Sequence, residues 1–205
     1  MDARIQRRIR RCGRLIVSLW GGLLGLAPHA GAIELSPTPE QVRAVIERGR
    51  NAAEQRVSPD QLHSAFGSTE DLKPRGFIMT KLGSLLVMAN HLSLRALAPT
   101  EQDVEQVLAN PNLLINVVIF GDRVNFAMDS YVVLEQAGRA IKPVNVRFDA
   151  RGDRTSVWPQ QPAYRAKVIA QFSYADLDPR AKTRLMVFPS AGGEVSFDLD
   201  FAQIE

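Results

Sequence analysis

Apolar and polar residues alternate along two stretches near the end of the chain. VSFDLDF, residues 195–201, sets Ser196, Asp198 and Asp200 against four apolar residues, and YRAKVIAQFSY, residues 164–174, alternates in nearly the same way. A period of two is typical of a strand that has one buried and one solvated face. NLLINVVIF, residues 112–120, is apolar at almost every position, which indicates a central strand that is buried on both faces.

Three more apolar runs, at residues 131–135, 141–148 and 184–188, complete this pattern, although Pro143 interrupts the second. Turn-forming residues separate the runs: Gly121-Asp122, Ala137-Gly138, Gly152-Asp153, Asp178-Pro179 and Ala191-Gly192-Gly193. Strands joined by turns, with no helices between them, predict an antiparallel β-sandwich. The last two strands, in RLMVFPSAGGEVSFDLDF, are predicted to form a closing hairpin.

The region before the sandwich has the period of short helices. Thr38 is the expected N-cap of a first helix, with Pro39 at its first position and Gln41 at capping-box spacing. SPDQLHSAF, residues 58–66, repeats the start signal, and its Leu62 and Phe66 lie four apart, so a second short helix is predicted there.

Residues 76–97, GFIMTKLGSLLVMANHLSLRAL, fit both a helix and a strand. Gly76 and Gly83 favour a long, interrupted strand, which is our expectation, with a helix as the open alternative. PTEQDVEQVLANP then predicts a short helix that starts at Thr100 and ends before Pro111.

The opening segment is typical of a secretory signal peptide. Six arginines lie among the first 14 residues, the uncharged run Leu15–Ala27 follows, and Ala30-Gly31-Ala32 supplies the small residues that a signal peptidase reads. The run is too short for a spanning helix, which needs about 20 residues. We expect cleavage after Ala32 and a periplasmic or secreted protein. An uncleaved anchor is the main alternative, and it would be the chain's only contact with a membrane.

Removal of this segment changes the charge. It holds six arginines and one aspartate, so the 25 basic and 22 acidic residues of the chain become 19 and 21, a net charge of −2. Such a chain has no overall field to attract nucleic acid, and no nucleic-acid partner is expected. Cys12, the only cysteine, lies within the segment, so no disulfide is expected in the mature chain.

These patterns predict three parts: a signal peptide over 1–32, a helical extension over 33–70, and a β-sandwich over 71–205 with a short helical insertion near 100–110. The segments VVLEQAGRAIKPV and GGEVSFDLDFAQI resemble those of exported bacterial immunoglobulin-like β-sandwich proteins of unknown function. The resemblance covers about residues 113–205 and implies an architecture, without a catalytic motif.

No catalytic or metal-binding constellation is apparent in the sequence. After the signal peptide the histidines are His63 and His91, in different segments, and Ser190 lies in a glycine-rich turn without a nucleophile motif. Four aspartates are candidate calcium ligands, but the spacing of a calcium loop is missing and turn formation is the simpler expectation. They are Asp122, Asp129, Asp149 and Asp153. We expect no cofactor, no metal and no enzymatic activity.

Three functions remain open. The first is a non-enzymatic binding or assembly module of a bacterial envelope, with another envelope protein as its partner. The second is an exported hydrolase that uses carboxylates such as Asp198 and Asp200. The third is a carbohydrate-binding module that uses Trp158 and Tyr164, the first and last residues of the proline-containing stretch WPQQPAY. Against the third stands a simpler interpretation, in which Trp158 covers the open edge of the core.

Overall fold

The computed structural model describes residues 32–204. The predicted signal peptide, apart from Ala32, lies outside the described residues. Ten strands run through the described chain: β1 (Ser64–Gly67), β2 (Arg75–Met79), β3 (Asn112–Gly121), β4 (Tyr131–Gln136), β5 (Arg139–Ile141), β6 (Asn145–Phe148), β7 (Asp153–Arg154), β8 (Tyr164–Ser173), β9 (Lys182–Phe188) and β10 (Val195–Asp200). Three helices accompany them: α1 (Pro39–Glu54), α2 (Lys81–Ser93) and α3 (Glu101–Leu108).

The strands form two antiparallel sheets. One sheet has the order β1-β2-β3-β8-β6, with β7 also paired to β8, and the other has the order β10-β9-β4-β5. The predicted closing hairpin is confirmed, since Val195 pairs with Val187 and Asp200 with Lys182. The predicted run across Pro143 divides instead into β5 and β6, which belong to different sheets, and Val144 lies exposed in the connection between them.

One hydrophobic core fills the space between the sheets, which is the arrangement of a β-sandwich. Ile115 and Val168 contribute from the larger sheet, and Leu134 and Leu185 from the smaller. The apolar residues of β3 and the alternating residues of β8 are buried as the sequence pattern predicts. The core also includes Ile33, which is only 2% exposed.

The helices form a second, smaller apolar cluster beside the sandwich. Val45 of α1 and Leu85 and Leu86 of α2 are its buried members, and α3 adds partly buried side chains. The predicted N-terminus of α1 is confirmed: the Thr38 hydroxyl accepts from the Gln41 N–H at 3.3 Å, and the Gln41 side chain accepts from the Thr38 N–H at 2.7 Å. The helix predicted from Thr100 is likewise confirmed as α3.

Two local predictions are wrong. Residues 76–97 are not a long strand: β2 ends at Met79, and α2 begins at Lys81 because the buried Thr80 hydroxyl caps the Gly83 N–H at 2.9 Å. The second helix predicted at 58–66 is reduced to a 3₁₀ turn, Pro59–Gln61. Phe66 then lies in β1, where its backbone pairs with β2, so the larger sheet starts inside the stretch predicted as a helical extension.

No helix among residues 32–204 is long and apolar enough to cross a membrane.

Candidate functional site

Trp158 lies on the surface, in the loop of residues 155–163 that joins β7 to β8, here called the Trp158 loop. The residue is 43% exposed, so the expectation that it covers the core edge is wrong. The guanidinium carbon of Arg154 lies 4.0 Å from the centroid of the Trp158 ring. Stacking of this kind gives an exposed, planar surface that is both aromatic and cationic.

Hydrogen bonds within the Trp158 loop hold its shape. The Thr155 hydroxyl donates to the Pro162 carbonyl at 2.6 Å, and the Thr155 N–H donates to the Ala163 carbonyl at 3.0 Å. Two turns within the loop are closed by hydrogen bonds: the Trp158 N–H donates to the Thr155 carbonyl, and the Gln160 N–H donates to the Val157 carbonyl. Because these groups are bonded within the loop, the backbone that carries Trp158 is held in shape before any partner arrives.

Tyr164 does not join Trp158 in a common surface. It is the first residue of β8, partly buried, and packs against the sandwich core. Its backbone pairs with that of Arg154, the residue whose side chain stacks on Trp158. The expected pair of exposed rings is therefore absent, and Arg154, which the sequence did not single out, takes the position beside the tryptophan.

Asp198 and Asp200 both lie on β10, where their register partners are Arg184 and Lys182. Asp198 is exposed on the solvated face. Asp200 caps the 3₁₀ turn that follows the strand, accepting from the Ala202 N–H at 3.1 Å. Asp198 is therefore a surface carboxylate, and Asp200 is the cap of a turn. Their role in hydrolysis stays a prediction.

The four aspartates that are candidate calcium ligands lie in the connection between β3 and β4, directly after β6, and in β7. Asp149 accepts from the Lys167 N–H at 2.8 Å, and Asp153 lies 3.9 Å from the Arg165 Nε. Asp122 and Asp129 are exposed on the connection between β3 and β4. Within residues 32–204, no group of three or more His, Cys, Asp or Glu side chains is placed to hold a metal ion.

The remaining sequence candidates have local contacts. The ring of His63 stacks on Phe77 with centroids 4.1 Å apart, and its Nδ1 lies 3.2 Å from the Asp60 carbonyl oxygen. A hydrogen bond from the Ser58 hydroxyl is the main cause that lowers the pKa of the neighbouring Asp60 carboxyl. Ser190 is exposed in the hairpin between β9 and β10.

A cleft of about 560 Å³ opens between the helices and the larger sheet. Its walls come from α1, α2, the turn before β1, residues 32–34 and the loop before β9. They include Val45, Arg48, Leu62, Leu82, Leu86 and Arg180. Sequence reasoning missed this cleft, because its residues come from five separate segments and no single segment carries a motif.

No protein-family model matches the chain, and neither does any curated protein. Solved structures that resemble part of it include the archaellum periplasmic stator protein FlaG from Sulfolobus acidocaldarius and the FlaF and FlaG complex from the same organism. Each is 14% identical to the chain with a TM-score of 0.28. The first covers 44% of this chain and 88% of FlaG, and the second covers 43% and 77%. A TM-score this low supports no conclusion about fold or function.

Proposed function

We propose that this chain is exported and acts outside the cytoplasm as a non-enzymatic binding or assembly module of the cell envelope, with another envelope protein as its partner. The Trp158 loop is the docking surface. The observation that carries this proposal is the exposed Trp158 ring with the Arg154 guanidinium stacked on it at 4.0 Å. Tryptophan and arginine are the residues most enriched among the strongest contacts of protein interfaces.

The shape and polarity of the loop also support docking. A tryptophan has only two χ angles and stands on a backbone that is already held, so it loses little conformational entropy when it is buried by a partner. Arg154 is stacked over the ring, and its guanidinium can donate to a carboxylate or backbone carbonyl of that partner. We infer that the sandwich is an immunoglobulin-like scaffold for this loop, in line with the resemblance carried by residues 132–144 and 192–204.

The position of Ile33 supports removal of the signal peptide at the predicted bond. Ile33 is 2% exposed, and its N–H donates to the Pro179 carbonyl at 3.2 Å. Among residues 32–204, the sandwich core begins at the residue that follows the A-x-A sequence. Cleavage after Ala32 would keep every buried residue of the stretch 33–204.

Co-purification from envelope extracts tests the docking surface. We expect Trp158→Ala and Arg154→Ala each to reduce recovery of a specific partner by at least about tenfold, since truncation of such a residue costs about 2 kcal/mol or more. Tyr131→Ala is the matched control, because Tyr131 is an exposed aromatic residue on the other sheet, 47% exposed. Equal recovery with all three variants would contradict the proposal.

Carbohydrate binding is a second candidate, favoured by the exposure of the Trp158 ring, on which a sugar could stack. Trp158 would be the only tryptophan of the processed chain, so its fluorescence reports directly on this surface. A saturable change on titration with envelope oligosaccharides, lost in Arg154→Ala, would favour this candidate over a protein partner. An unchanged spectrum would remove it.

A further inference from the structure

The cleft beside the helices combines an apolar floor with a charged mouth. Val45 and Leu86 in the floor are buried, and Leu62 and Leu82 beside them are partly buried. All four belong to the small cluster of the helices, which is separate from the core of the sandwich. All four also line the cleft. The volume of the cleft, about 560 Å³, lies within the range of roughly 300–1,000 Å³ that small-molecule sites occupy.

Arg180 supplies a cation at the mouth of this cleft. The residue is exposed, and its backbone N–H donates to the Asp178 carboxylate at 2.9 Å. Its guanidinium has no hydrogen bond or ion pair with any group among residues 32–204. A guanidinium has five N–H donors in a planar fork that matches a carboxylate, so its side chain is available to an anion that enters the cleft.

The other ionisable groups at the cleft are Arg48, Glu34 and His63. Glu34 is occupied locally, since its Oε1 accepts from the Ser36 N–H at 3.0 Å. Arg48 is engaged in an interaction of its own, so Arg180 is the cation that the lining offers to a ligand. The mouth thus favours an anion over a cation.

The loop that carries Arg180 is fixed from two sides. Asp178 exchanges hydrogen bonds with the buried Gln136, at 2.9 and 3.1 Å, and the Pro179 carbonyl accepts from the Ile33 N–H. The backbone of Arg180 is therefore held at the cleft without a ligand. Only its side chain has to be ordered on binding, which limits the entropy that binding loses.

We propose that this cleft binds a small amphipathic carboxylate, with its aliphatic chain against Val45, Leu62, Leu82 and Leu86 and its carboxylate on Arg180. This site is distinct from the Trp158 loop, and it does not depend on the docking function proposed above. The ligand class follows from the pairing of an unpartnered guanidinium with an apolar floor. An uncharged chain would leave that guanidinium without a partner, and a small anion would leave the floor empty.

Decanoate is a suitable probe, and titration of the ¹⁵N-labelled protein, purified after export, reads out its binding residue by residue. We expect saturable shifts of amides around the cleft, in α1, α2 and the segment 178–180. Decanol and butanoate are each expected to bind at least about tenfold more weakly, since one charge-assisted hydrogen bond or several methylene contacts is worth roughly 1.4 kcal/mol or more.

Two variants separate the parts of the site. Arg180→Gln should weaken decanoate by about tenfold and leave decanol unchanged, because only the charged contact is lost. Ala44→Phe should abolish binding of both, because Ala44 is an exposed residue of α1 that lines the cleft. Arg151→Gln and Asn51→Phe are the matched controls, since both residues are exposed and neither lines the cleft.

The proposal is overturned if decanoate causes no saturable shifts, if the shifts lie away from the cleft, or if Arg180→Gln binds decanoate as Arg151→Gln does. Unchanged thermal unfolding of each variant shows that a loss of binding is not a loss of fold. None of these variants changes Trp158. A failure of decanoate binding can therefore be distinguished from a failure of partner docking.

Discussion

Gln136 is a buried amide that ties β4 to the loop before β9. It donates to the Asp178 carbonyl and to the Thr183 hydroxyl at 2.8 Å, and it accepts from the Asp178 N–H. These bonds fix both backbone groups of Asp178, which directly precedes Pro179 and Arg180. No sequence pattern indicated them, because the partners lie more than 40 residues apart in the chain.

Replacement of this amide by an apolar side chain of similar size tests its role. We expect Gln136→Met to lower the free energy of unfolding by about 2 kcal/mol, since the buried Thr183 hydroxyl and both backbone groups of Asp178 lose this partner. Gln203→Met is the control, because Gln203 is exposed and its bond to Asp200 is long, at 3.3 Å. Equal midpoints for the two variants in urea unfolding would show that the buried bonds contribute little.

Tyr174 gives the fold a dependence on alkaline pH. Burial raises the pKa of its phenol to about 12, from about 10 in an unfolded chain. The folded state therefore holds this proton more tightly, so the stabilisation is complete below pH of about 10 and falls as pH rises towards about 12. The loss amounts to roughly 2–3 kcal/mol.

We expect Tyr174→Phe to abolish this part of the decline, measured as urea unfolding between pH 9 and 12, at roughly half-unit steps. Tyr131→Phe, at an exposed tyrosine, should decline as the parent protein does. A parallel decline in Tyr174→Phe would mean that other groups cause the alkaline sensitivity.

Sequence reasoning at the residue scale succeeded where the determinants are local. The capping box of Thr38 and Gln41 lies within four residues, so its hydrogen bonds follow from spacing alone. The position of Arg180 at the cleft depends on contacts between distant segments. Arg154 is only four residues from Trp158, but the loop between them is irregular and no spacing rule predicts which side chain stacks on the ring. The sequence therefore suggested Tyr164 as the partner of Trp158, and the structure places Arg154 there.

At the scale of elements, strands with clear alternation were predicted well, and the stretch 76–97 was not. Its apolar residues satisfy both periods, and the deciding group is Thr80, whose hydroxyl ends the strand region and caps α2. The helix predicted at residues 58–66 was wrong for a related reason. The start signal at Ser58 and Pro59 is real, but pairing with β2 takes the chain from Ser64 into the sheet.

Gly49 of α1 marks the closest approach of two helices. A Cβ at this position would lie 2.5 Å from the Leu86 carbonyl oxygen and 2.7 Å from the Ala89 Cβ, both in α2. Alanine usually stabilises a helix by about 1 kcal/mol relative to glycine. Here the clash outweighs that gain, because a buried contact with backbone cannot relax cheaply.

We therefore expect Gly49→Ala to destabilise the protein by about 1–3 kcal/mol in thermal or urea unfolding. Ala44→Gly on the exposed face of the same helix should cost about 1 kcal/mol through propensity alone. A Gly49→Ala variant that is more stable than the parent would show that α1 and α2 are less closely packed.

At the scale of the whole molecule, the two-sheet sandwich could be predicted from alternation and turns, since each strand carries its own signal. The division of the helices into a separate cluster, and the cleft that this division leaves, could not. Both arise from the way α1 and α2 pack on each other beside the larger sheet.

Export should leave Ile33 as the first residue of the processed protein. Mass spectrometry of the protein recovered from the periplasmic fraction should give the mass of residues 33–205, since Ile33 is the first buried residue of the part of the chain that the structure describes. Replacement of Ala32 by Arg should block processing and retain the protein at the membrane. A processed form that starts beyond Ile33 would contradict this assignment, because it would lack a core residue.

Photo-crosslinking from the Trp158 loop tests the central claim most directly. A benzophenone side chain at Gln160, an exposed loop position, should yield one discrete adduct with an envelope protein in intact cells. The same group at Glu135, exposed on the other sheet, should not, and Arg154→Ala combined with the Gln160 probe should remove the adduct. Equal crosslinking from both positions, or an adduct that persists without Arg154, would contradict a docking role for the loop.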